Sequence, residues 1–337
     1  MDALTHGLAS YAVTRAAFPK ASTATMIGAV FAGIVADLDA VSARFGPSAF
    51  LTWYRTHTHS ITATLAIAVL FSAAAWLAQR KKAVHDPLKT AFSAALLASV
   101  LHLGMDVCQN EGVELLWPFR ERRYSADFVA YFDLWILLIL LAGELLPQLL
   151  RLVSEEIGAK SKAPRGRVGA IMALVIVGCY IGGRAILHGN AIATLESRTY
   201  RGELPRRVAA LAEPESPLSW HGIVETERTL RELEVELGSG ATFNPDAGTV
   251  VYKPAESPAL AAARGTDVVR RLLQVARFPK ATVEQTNTGF RVEIRDFSAQ
   301  RGGLSASHVA AVVETDANAK VTSEELVWDQ RSVNATR

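Results

Sequence analysis

The chain has 337 residues, half of them hydrophobic and a fifth charged, with a mean hydropathy of +0.19. That length allows two domains, and the mixture points to a membrane part joined to a soluble part. A net charge of +2 excludes a global pull toward nucleic acid, and two cysteines, Cys108 and Cys179, set no readable disulfide framework.

Residues 3–18 form a short helix candidate, whose length suits a span, a re-entrant piece or an interfacial helix alike. It has no basic region before it, so no cleavable signal peptide is expected. Residues 23–41, 60–78, 88–105, 130–150 and 168–187 are apolar runs. A helix needs about 20 such residues to cross the hydrocarbon core. The expected fold is therefore a mainly α membrane protein, with five or six transmembrane helices followed by a small soluble α+β domain. Residues 1–188 form the helical part and 189–337 the soluble part. In the latter, 220–237, 248–254, 282–297 and 319–328 read as strands, and 260–277 as an amphipathic helix.

Lys and Arg suggest the orientation. Arg15, Lys20, Arg80, Lys81, Lys82, Lys89, Arg151, Lys160, Lys162, Arg165 and Arg167 gather on one side; Arg44, Arg55, Arg120, Arg122 and Arg123 fall on the other. The richer side is expected in the cytoplasm. The chain is thus expected to be a multi-pass protein of the cytoplasmic (inner) membrane, with its C-terminal domain on the extracytoplasmic side.

Ionisable residues beside membrane spans are costly and need a reason. Asp37 and Asp39 close the run 23–41, His57 and His59 precede 60–78, and His102 and Asp106 end 88–105. Asp133 lies near the start of 130–150, and His6 in the first short helix. Alternation of the spans brings them to one end, the outward one. His102 and Asp106, four apart, share a helix face. Asp37 and Asp39 differ by about 200° on a regular helix, so both turn inward only at a fraying end. A mixed His/carboxylate set suits zinc, with manganese or iron as alternatives, as one or two ions. Such an ion activates water and polarises a phosphoryl or carbonyl oxygen. Each residue also has a plainer role: a capped helix end, an interfacial polar group, or a structural His–Asp pair. Asp127 and Glu111 read as loop residues, and His85, His188, His221 and His308 as residues outside any site.

Several segments in order resemble the YdjM-like membrane-bound metal-dependent hydrolases. These are Thr5-His6, Asp37-Leu38-Asp39, the run Arg55-Thr56-His57-Thr58-His59-Ser60, His102 to Asp106, Gly112 to Phe119, and Tyr131-Phe132-Asp133. The resemblance covers roughly residues 1–150 and implies a metal site carried by His6, Asp37, Asp39, His59, His102 and Asp106. Tyr54 stands where many members have His, and His57 either replaces that ligand or does nothing. The family is distantly similar to zinc-dependent phospholipases C, which suggests a phosphoester substrate by analogy only.

The expected activity is metal-dependent hydrolysis of a lipid-like or lipid-linked phosphoester at the outer membrane face. Asp133 is the expected general base, and Arg55 is expected to steady a phosphate. Membrane lipids are the expected partners, and nucleic acid is not. The alternatives are a transporter or metal-binding scaffold without turnover, or a regulatory protein working through its C-terminal domain.

Overall fold

The computed structural model describes residues 1–82, 86–156, 166–298 and 305–329. His85, Lys160, Lys162 and Arg165 lie outside the described residues. The chain divides into two compact units. One comprises Met1–Asp39, Arg55–Ile186 and Ala212–Pro217; the other comprises Ala40–Tyr54, Leu187–Leu211 and Leu218–Arg337.

The first unit is helical. Helix α1 (Ala3–Ala17) starts at Asp2, whose carboxylate accepts from the amides of Leu4 and Thr5. Helix α2 (Thr23–Ala32) is capped by the Ser22 hydroxyl and ends at Gly33. A 3₁₀ helix (Val35–Phe45) follows, bent by 43° from α2. After the short helix α3 (Pro47–Trp53) come α4 (Ile61–Gln79), capped by Ser60, and α5 (Leu88–Val107). Helices α6 (Leu134–Glu156) and α7 (Arg167–Glu196) complete the helical series.

Helix α5 packs against α1, α2 and α4. It buries Ala91, Ala94, Ala95, Ala98 and Ser99, a stripe at helical spacing that continues into His102, Leu103 and Asp106. Ala29, Ala32, Ala68 and Ala75 bury small side chains on α2 and α4. Small residues let the backbones approach closely, which is how helices associate where water supplies no hydrophobic drive. One face of α5 therefore both makes the packing and carries the polar pair at its end.

Among the described residues, three helices, α4, α5 and α7, are long and apolar enough to cross a membrane, and α2 with the 3₁₀ helix makes a fourth if the bent pair is one span. The expectation of five or six spans is corrected accordingly. The run 23–41 breaks at Gly33. In the run 130–150 the helix begins only at Leu134, because Asp133 caps it, and the apolar stretch Leu134–Leu149 falls short of about 20 residues. Helix α1 has 15 residues, too few to span, and buries His6, Ser10 and Thr14 beside Ala9 and Ala12.

The second unit holds two antiparallel four-stranded sheets, each a meander in sequence order. The first consists of β1 (Arg207–Ala212), β2 (Ser219–Glu225), β3 (Thr229–Glu236) and β4 (Thr249–Tyr252). The second consists of β5 (Pro279–Gln285), β6 (Gly289–Asp296), β7 (Val309–Asp316) and β8 (Val321–Trp328). Between the sheets in sequence lie α8 (Pro258–Arg264) and α9 (Asp267–Val275). The single helix expected over 260–277 is thus two, separated at Gly265-Thr266. Strands β1 and β7 were not expected; β7 is almost continuously buried and so lacks the alternation of a half-exposed strand. Phe50, Leu51 and Tyr54 join the core of the second sheet with Leu260, Leu272 and Val292. The segment 40–54, counted with the helical part on sequence, therefore packs as part of this unit.

Gly33 is the tightest joint near the end of α2. A Cβ there would lie 1.9 Å from Ser10 Oγ and 3.5 Å from the Ala98 carbonyl oxygen. Gly33→Ala is expected to push α1 away from α2 and to cost about 1–3 kcal/mol through overpacking. Thermal unfolding of the detergent-solubilised protein checks this; an unchanged midpoint would show that the contact is slack.

Candidate metal centre

The end of α5 supplies the centre of the site. Asp106 is fully buried, and His102, one turn earlier, is 4% exposed. The His102 Nδ1–H donates to the Gly33 carbonyl at 2.8 Å. That bond leaves the Nε2 lone pair facing Asp106 Oδ2 at 3.2 Å and Asp37 Oδ1 at 4.0 Å. The bend at Gly33 thus does two jobs: it turns a carbonyl toward His102 and starts the 3₁₀ helix that delivers Asp37.

His59 enters from the loop before α4. Its Nε2 lies 3.1 Å from Asp106 Oδ2 and 3.6 Å from Asp37 Oδ1, while its Nδ1 lies 2.9 Å from Asp39 Oδ2. Asp37 and Asp39 therefore bracket opposite edges of one imidazole. This resolves their spacing: two residues that cannot share a helix face reach two different atoms of the same ring. Asp39 Oδ2 also accepts from the Arg55 amide at 2.8 Å and the Thr58 hydroxyl at 2.9 Å. It stands one layer out, orienting His59. His6 arrives from α1, with Nε2 3.1 Å from Asp106 Oδ1 and its ring 3.9 Å from that of His102.

Donor atoms of His6, Asp37, His102 and Asp106 all lie within 4.8 Å of one another. Metal–ligand distances of about 2.0–2.2 Å place ligand atoms about 3–3.5 Å apart around one ion. His59 Nε2, His102 Nε2, Asp106 Oδ2 and Asp37 Oδ2 are buried without a hydrogen-bond partner. Buried polar atoms are rarely left so, and the binding of a cation is one reason for it. Imidazole and carboxylate donors, with the rings of His59 and His102 held by their other nitrogens, are also the chemistry of a metal site. The residues present fit a divalent cation.

Arg55 flanks this group. Its guanidinium is 1% exposed, with Nη2 3.4 Å from Asp106 Oδ1 and 3.2 Å from Gln109 Oε1, and Nε 3.6 Å from Glu111 Oε2. Its backbone has φ of 58°, which a non-glycine residue adopts at a cost. The conformation is held from both sides, by the bond of its amide to Asp39 and by the Glu114 amide donating to its carbonyl. Burial opposes a charged His59. The carboxylates of Asp106, Asp37 and Asp39 around the ring outweigh it and hold the imidazole up at about 10. The carboxylates thus favour positive charge at the His59 ring.

Two residues expected at the site stand elsewhere. The His57 ring packs 4.6 Å from that of Trp117, not against the cluster. Asp133 Oδ1 accepts from the amides of Trp135 and Ile136, and its Oδ2 accepts from the Tyr180 hydroxyl at 3.0 Å. Its oxygens are committed to capping α6 and tying α7, so the general-base role expected of it has no support in its contacts. Conversely, Gln109 and Glu111 join the site and were not expected there. Gln109 donates to Asp106 Oδ1. Its place three residues after Asp106, one turn on, was the signal available. His188 and His221 lie in the second unit, where they contact Trp220 and Glu232.

No curated protein and no solved structure matches the chain. A family model described as YdjM inner membrane protein matches residues 1–191. That match covers more than half of the 337 residues, so the chain belongs to the YdjM inner membrane protein family.

Proposed function

We propose that the chain is a metal-dependent hydrolase working at the membrane surface on a phosphoester of a lipid or lipid-linked substrate. The observation that carries this reading is the convergence of unpartnered imidazole and carboxylate atoms at one end of membrane-length helices. His6, Asp37, His59, His102 and Asp106 would hold one or two divalent cations, zinc foremost, with manganese or iron as alternatives. A cation there supplies a Lewis acid for a phosphoryl oxygen and acidifies a coordinated water.

The chain's own residues prepare that chemistry. Asp39 and the Gly33 carbonyl each take one nitrogen of an imidazole, so His59 and His102 present Nε2 inward. Arg55 is the side-chain cation beside the cluster, suited to an anionic substrate group once one of its carboxylate contacts is exchanged. The apolar walls of α1, α2, α4 and α5 exclude water and strengthen each of these interactions.

Metal content distinguishes the roles. His102→Ala is expected to abolish retention of divalent metal through purification. Asp39→Asn is expected to weaken affinity about 10–100-fold while keeping stoichiometry, as loss of an outer partner does. Full retention of metal by His102→Ala would refute the site.

Protons compete with the cation for His59, whose folded pKa is held up at about 10. Apparent metal affinity should therefore rise with pH across the neutral range and fall as the medium is acidified. Titration calorimetry at several pH values reads this directly, and a pH-independent affinity counts against His59 as a ligand.

For the reaction, hydrolysis of a phosphodiester or phosphomonoester lipid in mixed micelles should stop on chelation and return on adding zinc or manganese. A protein that binds metal stoichiometrically yet turns over neither class is a metal-binding scaffold instead.

A further inference from the structure

The loop between α5 and α6 carries a tip that the metal centre does not use. Val113 bridges Tyr124 and closes the base of the loop. At its end the amides of Phe119 and Arg120 both donate to the Leu116 carbonyl, at 2.8 and 3.1 Å. This tight turn holds Phe119 outward at 81% exposure, the highest of any large hydrophobic side chain among the described residues. Arg120, Glu121 and Arg122 are exposed beside it. Arg123 is spoken for by Glu114, and Arg122 lies 5.5 Å over the Tyr124 ring. Arg120 has no ion-pair partner among the described residues.

The position of the tip follows from two bonds. The Ile61 amide donates to the Leu115 carbonyl, and the Thr62 hydroxyl to the Trp117 carbonyl, both at 3.0 Å. Ile61 and Thr62 form the first turn of α4, a helix long and apolar enough to cross the membrane. The tip is therefore pinned to the end of a span, at the level where hydrocarbon gives way to headgroups. Aromatic side chains and arginines whose stems lie along apolar surface are stable at that level.

We propose that the tip Trp117–Arg122 is a binding element for anionic phospholipid headgroups. Phe119 enters the boundary of the acyl chains, and Arg120 and Arg122 hold lipid phosphates. A lipid is favoured over a protein partner because the tip is bonded to a span and presents one large apolar side chain with exposed cations beside it, rather than an extended apolar face. The proposal rests on the membrane location of the chain and is independent of the hydrolase reading.

The test uses the full-length protein in vesicles of phosphatidylcholine, alone or mixed with phosphatidylglycerol. Phe119→p-benzoylphenylalanine is irradiated, and adducts are identified by mass spectrometry, with Leu70→p-benzoylphenylalanine on the exposed face of α4 as reference. The expected result is a lipid adduct at both positions, with phosphatidylglycerol enriched at position 119 only. Adding Arg120→Gln and Arg122→Gln should remove that enrichment, at about fivefold for each arginine, while the Leu70 adduct stays unchanged. An adduct at position 70 without one at 119 overturns the proposal, as does a protein adduct at 119 or an enrichment that survives loss of both arginines. Failure of metal binding in the same preparation would touch the hydrolase reading and leave this one standing.

Discussion

A carboxylate with no access to water organises the first unit. Asp106 is fully buried in the end of α5, where an unpaired charge would cost several kcal/mol. Its two oxygens divide the surroundings. Oδ1 meets His6, Arg55, Gln109 and the Met1 amino group, and Oδ2 faces His59 and His102. These partners come from three stretches of chain, so α1, the loop before α4 and the turn after α5 must all arrive together for the charge to be tolerated. Fold and site are one requirement in this unit.

Small residues make that convergence sterically feasible. The alanine stripe of α5 and the glycine at the end of α2 bring backbones close enough for short side chains to reach a common point. Gly33 illustrates the economy of the arrangement. Its missing Cβ admits Ser10, its carbonyl fixes His102, and the bend that follows it points the aspartates at His59. A longer residue at that position would disturb packing, tautomer and ligand placement together.

Arg184 shows how α7 is recruited to the same unit. Its buried guanidinium donates to the carbonyls of Phe128, Ser216 and Pro217. The Asn110 amide exchanges two hydrogen bonds with the Ala212 backbone. A cation within a membrane-length helix is thus satisfied by backbone oxygens, and the segment Ala212–Pro217 is held in the first unit although strands surround it in sequence.

What the sequence determined by itself is chemistry at short range. The i, i+4 pair His102 and Asp106, the apolar character of α4, α5 and α7, and the ordered motifs of the family are readable because helical spacing and composition are local properties. The tertiary structure alone decided which groups face each other. Asp37 and Asp39 look equivalent in sequence, yet one faces the His59 atom aimed into the cluster and the other holds the ring from behind. His57 differs from His59 by two positions and packs on Trp117, and Asp133 spends its oxygens on capping α6. The span count changed for the same reason. Hydropathy sums over a window and does not see where a glycine ends a helix or a carboxylate begins one; those boundaries are set by hydrogen bonds to partners elsewhere in the chain.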